Sequence, residues 1–570
     1  MLRRLSNGTA LTLLGATLLG VALSHAGCGS DDSTFDGNGA ADGSAQPGFG
    51  NDDDGGDSGR GSSGGPVTPD TCGGKPCANN IGLKDFVEPD APANAGELFG
   101  GGTLAPNGTN AAKEPAIVYP SHETMFPVNV SHIHHEWVAG GTNDLFRLKF
   151  EGAKTTVTIY TTKHEWEPTE EEWDWIAESN RGGSVTLTVS GLNVAAPQQI
   201  WQSKSITLFY SAAEVEGALY YWSTGTAGIM KALVSDRVPE KFYTDPNAAD
   251  AKTCVGCHTL SRDGKRLAVN YGGEKLKEVS VPARAAIVPA TGEPKRDGGW
   301  STFSPDGKQL LIASKGVLTL LDSDTGATIG ADSGIVPLGG NFATHPDWSA
   351  LGDKVVVSLS KKAPGNKDMA SGSIAIIPYT NGTWGSPQVL VQSTSDKDNN
   401  FFPVFSPDSK YIAYVHANGS SKDEVTSILR LVPTAGGTPI DMTRLNHRVN
   451  NADGVMKVGD SMPTWAPATK PGVFWLAFSS VRAYGTLRAA TDKLDQIWIA
   501  AVDPTKPDPG YAAFWAPFQS MPEGNHRAFW THVEGDQQCK CVEICDNGKD
   551  DNCDCVIDNC GSTDPDPVVK

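Results

Sequence analysis

The sequence lacks an apolar run of the roughly 20 residues that a membrane-spanning helix needs. It also lacks a basic patch, since 46 lysines and arginines stand against 66 aspartates and glutamates and give a formal net charge of −20. Phosphates repel a chain of this charge, so we expect no nucleic-acid partner. Phosphate-binding loops and zinc-protease motifs are missing too, and the letters of a nucleophile elbow at Gly61–Gly65 lie outside any strand or helix pattern. These absences argue against a hydrolase.

The N-terminus has the parts of an export signal. Arg3 and Arg4 form a positive head, and residues 10–23 form an uncharged apolar core that is too short to span a bilayer. Residues 23–28, Leu-Ser-His-Ala-Gly-Cys, resemble a bacterial lipobox, which implies cleavage before Cys28 and a lipid anchor on that cysteine. An ordinary signal peptide with an incidental cysteine is the alternative. Gly29 resembles the residue found in lipoproteins sent to the outer membrane, so we expect an outer-membrane protein facing the periplasm or the cell surface.

The next part of the chain separates into a tether and a predicted sandwich. Residues 28–75 are rich in Gly, Ser and Asp and cannot bury a core, which predicts a flexible tether. Residues 110–217 alternate between apolar and polar side chains in short segments, which are typical of an immunoglobulin-like β-sandwich. These segments are residues 146–150, 155–160, 184–189 and 205–210. Pro168 and the acids that follow it predict one short helix.

A repeated phrase fills much of the region 218–535. An aromatic residue or Leu ends one strand, a Ser-Pro-Asp-Gly-Lys-like turn follows, and an alternating strand returns. The copies begin at Leu260, Phe303, Trp348, Phe405 and Trp465, with spacings of 43, 45, 57 and 60 residues. The turn resembles the hallmark of TolB-type β-propellers, which implies six blades if residues 218–233 join the segment around 514–530. The predicted fold is therefore all-β, with a sandwich followed by a six-bladed propeller and a small disulfide-rich tail at 536–570.

The run Cys254-Val255-Gly256-Cys257-His258 resembles the attachment site of c-type haem. The resemblance implies thioether bonds from Cys254 and Cys257 to the porphyrin and His258 as the proximal iron ligand. It also implies electron transfer or redox sensing with a redox or cell-envelope protein partner. A Cys254–Cys257 disulfide is the alternative, and it corresponds to a haem-free scaffold that binds a protein or a polysaccharide. A haem-dependent redox reaction in the propeller channel is the only enzymatic activity left open.

The register of the repeats predicts which residues face the central channel. Counting back three places from the residue before each turn gives Cys257, Trp300, His345, Phe402 and Met462. In a propeller of this class such positions begin the innermost strand and line the channel. The register therefore predicts that His345 or Met462 meets the haem iron opposite His258 at one mouth of the channel.

The other cysteines predict disulfides and a metal site. Cys72 and Cys77 can close a small loop, and six cysteines crowd into the tail, which favours a disulfide knot in an oxidising compartment. These six are Cys539, Cys541, Cys545, Cys553, Cys555 and Cys560. The tail resembles an acidic, cysteine-rich metal-binding module of bacterial surface proteins, although Asn547 and Cys555 replace its glycines. The resemblance implies Ca²⁺ on Asp546, Asp550, Asp551, Asp554 and Asp558, and a knot with a solvated acidic surface is the alternative.

Overall fold

A computed structural model describes residues 80–244, 255–271, 275–292, 294–364, 369–419, 421, 424–446, 458–467, 472–487 and 494–532. It also describes the backbone of a short antiparallel pair, Thr71–Cys72 (β1) with Lys75–Pro76 (β2). The signal segment, the predicted lipid site, most of the predicted tether, the Cys72 side chain, Cys77, Cys254 and the acidic tail lie outside the described residues. No helix among the described residues is long and apolar enough to cross a membrane.

The first unit is a two-sheet β-sandwich. Its elements are β3 (Gly82–Val87), α1 (Ala95–Gly101), β4 (Thr103–Leu104), β5 (Ala116–Tyr119), β6 (Thr124–Phe126), β7 (His135–Val138), β8 (Leu145–Gly152), β9 (Thr155–Thr161), β10 (Glu165–Trp166), α2 (Glu170–Ile176), β11 (Ser184–Asn193), β12 (Ala196–Gln202) and β13 (Ile206–Tyr210). The larger sheet has the order β3-β9-β8-β11-β12-β4, with β13 on β11 and β6 on β13, and the smaller sheet has the order β10-β7-β5. The alternating segments read from the sequence are the central strands β8, β9, β11 and β13.

The sandwich begins earlier than the predicted boundary at residue 110. Strand β3 pairs in parallel with β9 at the edge of the larger sheet, from Gly82 opposite Thr155 to Val87 opposite Tyr160. One side of this strand is exposed, as the exposed Leu83 shows, so its hydrophobic pattern is weak. A parallel edge strand of this kind depends on a partner far along the chain, which its own residues do not reveal.

The predicted short helix is confirmed as α2. The Thr169 hydroxyl accepts a hydrogen bond from the Glu172 amide at 3.3 Å, and the Glu172 carboxylate accepts one from the Thr169 amide at 2.7 Å. This reciprocal pair is a capping box, which satisfies amides that a helix start leaves free. Trp173 and Ile176 lie on the other side of the helix and are buried in the sandwich core.

The second unit is a six-bladed propeller. Blade 1 contains β14 (Ala218–Ser223), β15 (Gly228–Leu233) and β16 (Glu240–Tyr243), and blade 2 contains β17 (Val255–Leu260), β18 (Arg266–Tyr271), β19 (Lys275–Ser280) and β20 (Ala285–Val288). Blade 3 contains β21 (Trp300–Phe303), β22 (Gln309–Ser314) and β23 (Val317–Asp322), and blade 4 contains β24 (Phe342–Trp348), β25 (Lys354–Ser360), β26 (Ser373–Thr380), β27 (Thr383–Trp384) and β28 (Gln388–Val391). Blade 5 contains β29 (Asp398–Phe405), β30 (Tyr411–Asn418), β31 (Ile428–Pro433) and β32 (Ile440–Asp441). Blade 6 contains β33 (Ser461–Trp465), β34 (Phe474–Ser480), β35 (Gln496–Val502) and β36 (Phe514–Trp515), and a last strand, β37 (Asn525–Thr531), follows.

The propeller closes by joining its two ends. Strand β37 pairs antiparallel with β14, so that the last described strand becomes the innermost strand of blade 1. The predicted closure is thus confirmed, with the boundary refined: Phe514–Trp515 completes blade 6, and Asn525–Thr531 makes the closure. Closure of this kind leaves no open seam between the first and last blades.

The recurring turn has a clear chemical reason. In blade 3 the Ser304 hydroxyl donates to the Asp306 carboxylate at 2.6 Å and accepts from the Gln309 amide at 3.0 Å. The same carboxylate accepts the Lys308 amide, and Gly307 takes a positive φ of 67°. Serine and aspartate therefore satisfy the backbone amides of a tight turn, and glycine supplies its left-handed residue.

The sandwich packs against the outer side of blade 6. The Tyr119 hydroxyl accepts a hydrogen bond from the Trp515 amide at 3.0 Å, and Phe126 lies 5.3 Å from Phe514 between ring centroids. The buried Glu136 carboxylate accepts the Thr486 amide at 2.9 Å. Buried residues of both units form one hydrophobic cluster, so the two units share a core at this contact.

Candidate functional site: the channel ring

The innermost strands of five blades carry a β-bulge at the same place. The pairing register shifts in β17, β24, β29 and β33, and it shifts between β14 and β37. One residue in each bulge takes a left-handed conformation: Cys257 (φ 44°), His345 (51°), Phe402 (49°), Met462 (52°) and Arg527 (45°). We call these five residues, together with Trp300 of blade 3, the channel ring. Neighbouring innermost strands contact one another around the propeller, so the ring surrounds its central channel.

The left-handed residues are costly, which makes their repetition informative. A non-glycine residue in this conformation costs roughly 1–2 kcal/mol because its Cβ crowds the backbone. Proline follows the left-handed residue in three of the bulges, at Pro346, Pro403 and Pro463, and proline suits a place where no amide is needed for the ladder. A bulge re-aims the side chain that it carries. Four of the five bulged positions are those that the repeat register predicted from the sequence, namely Cys257, His345, Phe402 and Met462.

Blade 3 reaches the ring without a bulge. Gly299 has a φ of 151°, and a Cβ on it would lie 2.0 Å from the Ala313 carbonyl oxygen, so only glycine fits there. The next residue, Trp300, places its ring 5.0 Å from that of His345 and 4.9 Å from that of Phe402. These contacts bring side chains of three different blades together.

Arg527 is the member of the ring that the sequence reasoning missed. Its guanidinium carbon lies 4.7 Å from the Trp300 ring centroid and 5.7 Å from that of Phe402, close enough for cation–π attraction. The side chain is 8% exposed. Counting back three places from Trp530, as in the other blades, would have found it, but the C-terminal strand lacks the Ser-Pro-Asp-Gly-Lys turn that marks the repeat.

His345 is a neutral imidazole in this ring. Burial lowers its pKa well below the ordinary 6.5, and the positive charge of Arg527 lowers it further. Its Nδ1 lies 3.4 Å from the Ser358 hydroxyl oxygen, and its Nε2 has no hydrogen-bond partner among the described residues. Phe402 packs against the imidazole with ring centroids 3.9 Å apart. The ring thus combines aromatic faces, a cation and a neutral imidazole.

A second set of side chains lies further along the channel, two residues after the ring. A cavity of about 120 Å³ is lined there by Thr259, Thr302, Asp347, Val404, Thr464 and Phe529 among others. The Asp347 carboxylate accepts the Phe405 amide at 2.8 Å. Burial raises the pKa of Asp347, while Arg262 and Arg527 oppose this shift. A carboxyl group therefore faces the channel beyond the cationic ring.

His258 is not a member of the channel ring, which contains His345 and Met462. Its Nε2 lies 2.8 Å from the Tyr220 carbonyl oxygen, and its ring packs on Phe529 at 5.3 Å. Both contacts belong to blade 1, so the imidazole lies between blades 1 and 2. The register shift at Cys257 re-aims the neighbouring side chains, and it leaves the His258 ring on the side of blade 1.

The environment of His258 does not fit an iron ligand. The imidazole is 1% exposed, and this burial lowers its pKa to about 3. The hydrogen bond to the Tyr220 carbonyl opposes the shift, and the positive charge of Arg527 adds to it. Iron on Nε2 would require the ring to lose its bond to Tyr220 and to leave the blade interface. Cys254 lies outside the described residues, whereas Cys257 and Met462 are half-buried in the ring. Within the described ranges, no group of three or more His, Cys, Asp or Glu side chains is placed to hold a metal ion.

No protein-family model matches the sequence, and no curated protein matches it. Solved structures that resemble the fold include TolB from Agrobacterium tumefaciens, at 16% identity and a TM-score of 0.30, over 56% of this chain and 100% of that one. The dihydro-heme d1 dehydrogenase NirN is similar at 13% identity and a TM-score of 0.29, over 52% of this chain and 53% of that one. The WD40 domain of Sif2 is similar at 12% identity and a TM-score of 0.29, over 55% and 89%. These similarities concern the fold alone, and the chain is a β-propeller preceded by a β-sandwich.

Proposed function

We propose that the protein is a cell-envelope scaffold whose channel ring binds part of a protein or polysaccharide partner. The observation that carries this proposal is the set of five equivalent bulges, which turn side chains from five blades toward one channel at an energetic cost. Trp300 and Met462 are only half-buried, so a partner can reach them. Tryptophan and arginine are the residues that most often dominate binding energy at interfaces.

The chemistry of the ring favours an anionic group on the partner. Arg527 provides a fixed positive charge against the faces of Trp300 and Phe402, within a chain whose formal net charge is −20. His345 is neutral there and offers a ring nitrogen. A carboxylate entering the channel mouth would be attracted by the charge of Arg527, because this side chain is only 8% exposed and salt screens its charge weakly.

Site-specific photo-cross-linking in intact envelopes tests the proposal. A photoreactive amino acid at Met462 should yield a discrete adduct with one envelope component, and Trp300→Ala should abolish that adduct in protein that still unfolds cooperatively on heating. Leu351 is the control position, because it is 73% exposed on the turn that follows β24, at the far end of that strand from the ring. The same adducts from both positions, or none from Met462, would refute binding at the ring.

A second candidate is electron transfer or redox sensing with covalent haem c, and one observation favours it. Residues 255–258 of the C-x-x-C-H run lie at the start of β17, the innermost strand of blade 2. Full-length protein should be co-expressed with haem-maturation factors, denatured and weighed by mass spectrometry. The scaffold proposal expects the mass of the haem-free chain, while a control cytochrome is fully loaded. A covalent haem adduct lost in Cys257→Ser would establish the second candidate instead.

A further inference from the structure

Blade 4 carries an extra hairpin that is absent from the described residues of blades 3 and 5. Strand β26 pairs with β25 on one side and with both β27 and β28 on the other. The turn between β26 and β27 is Asn381-Gly382, both with positive φ, which is typical of a two-residue hairpin. The repeat from Trp348 to Phe405 has 57 residues, compared with 43 and 45 in the two preceding repeats and 60 in the following one. Insertions into a repeat often carry its binding function.

The hairpin forms one wall of a groove at the outer side of the propeller. The groove has a volume of about 950 Å³, within the range of sites that bind small ligands. Residues 337–341 of the preceding blade and residues 392–396 form other walls. Leu338, Leu359 and Ser360 are buried at its base. We call this cavity the blade-4 groove.

Trp384 gives the groove a rigid aromatic wall. Its ring lies 4.3 Å from that of Tyr379 and 5.8 Å from that of Trp348, and the side chain is only half-buried. Packing on two aromatic rings holds one orientation of the indole, so a ligand that contacts its open part pays little conformational entropy. The flat C–H face of a sugar ring is a suitable partner for such a surface.

The rim of the groove is polar and carries two adjacent lysines. The Lys362 ammonium lies 2.6 Å from the Asp396 carboxylate, which also accepts the Ser371 hydroxyl at 3.2 Å. Gln392 donates to the Ser373 hydroxyl at 3.2 Å. Lys361 is exposed and makes no ion pair with any residue that the structure describes. The chain as a whole is acidic, so the positive charge of Lys361 creates a local site that attracts a carboxylate.

We propose that the blade-4 groove binds an acidic oligosaccharide, with a sugar ring on Trp384 and a carboxylate of the glycan at Lys361. The Trp384 ring provides apolar contact area for the sugar ring, and the amide and hydroxyl groups of the rim form hydrogen bonds with sugar hydroxyls. The charge of Lys361 selects uronic acids over neutral sugars. The groove is separate from the channel ring. Loss of binding here therefore leaves the function proposed for the ring untouched, and the reverse also holds.

Calorimetric titration of the full chain with hexamers of mannuronate, galacturonate and glucuronate tests the inference, with carboxyl-reduced hexamers as neutral counterparts. At least one acidic hexamer should bind, and its reduced counterpart should bind roughly tenfold more weakly or not at all. Lys361→Ala should weaken binding of the acidic hexamer roughly tenfold. Lys308→Ala removes another exposed lysine, from a blade 3 turn, and should change nothing.

Trp384→Ala should abolish binding, and Trp384→Tyr should retain part of it because an aromatic face remains. Since Trp384 also packs in blade 4, Lys361→Ala provides the test that does not depend on folding. The inference is overturned if none of the acidic hexamers binds, if acidic and reduced hexamers bind equally, or if binding is the same in Lys361→Ala and in Lys308→Ala.

Discussion

Glu278 predicts a strong dependence of stability on pH. Its carboxyl group has zero exposed area and lies between blades 2 and 3, in the lining of a cavity that also includes Leu276, Leu321 and Arg296. Neither carboxyl oxygen has a hydrogen-bond partner among the described residues. Arg266 lies 3.9 Å away, but its guanidinium already bonds to Asp324 and to the Ser323 carbonyl. Burial raises the pKa of Glu278 from 4.5 to about 8, with Arg266 opposing the shift.

The raised pKa means that the folded protein holds a proton that the unfolded chain has lost. Between pH 4.5 and pH 8 the folded state binds more protons, so the free energy of unfolding falls as the pH rises. A carboxyl group with these two pKa values lowers stability by about 4 kcal/mol between pH 5 and pH 9. Glu278→Gln keeps the shape of the protonated acid but cannot ionise, so it should remove this loss.

Urea unfolding followed by tryptophan fluorescence at pH 5, 7 and 9 measures the effect. Glu278→Gln should resemble the natural protein at pH 5 and exceed its stability by several kcal/mol at pH 9, since all other titrating groups are shared. Glu97→Gln makes the same chemical change at an exposed position on α1 and is the matched control. The reasoning would be refuted if the difference in unfolding free energy between Glu278→Gln and the natural protein stayed constant within about 1 kcal/mol from pH 5 to pH 9. A shift of one pKa unit corresponds to about 1.4 kcal/mol, so a real shift of several units would exceed that limit.

Three further predictions concern other parts of the chain. Asp460→Ala should lower the free energy of unfolding by about 3–5 kcal/mol in urea titrations, because it leaves the buried Arg482 without the carboxylate that binds it through two 2.6 Å hydrogen bonds; a loss below 1 kcal/mol would contradict this. Cys28→Ser should release the protein from membranes and stop incorporation of labelled fatty acid, and unchanged membrane association would rule out the lipid anchor. Millimolar Ca²⁺ should stabilise the full chain, and Asp550→Asn and Asp554→Asn should each weaken the calorimetric signal; no heat in the natural chain would leave only a disulfide knot.

Local patterns were enough to predict most of the fold. The Ser-Pro-Asp-Gly-Lys turn depends on bonds within six residues, as the Ser304 and Asp306 side chains show, so each copy reports its own hairpin. Recurrence of the copies at spacings of 43 to 60 residues then predicts blades, and the missing sixth copy predicts closure by the chain ends. The proline and the acidic residues at the start of α2 are equally local signals, and they marked this helix correctly.

The candidate site was predicted only in part. Counting along the repeat located Cys257, His345, Phe402 and Met462, because the bulge recurs at a constant distance from the turn. The same count could not say that His258 turns toward blade 1, since that depends on the Tyr220 carbonyl from a distant strand. The lipid site, the haem cysteine Cys254 and the tail ligands lie outside the described residues, and they stay predictions.

The sequence by itself determined the strands, the turns, the number of blades and the register of the innermost strands, because each rests on alternation or on hydrogen bonds between near neighbours. Tertiary structure alone decided what these elements bring together. Arg527 enters the ring only because the last strand closes blade 1, and Glu278 loses its water only because blade 3 packs over it. Trp384 forms a groove only because its hairpin lies beside a loop of blade 3. Such contacts join residues tens to hundreds of positions apart, and no local pattern encodes which distant surface will cover a given side chain.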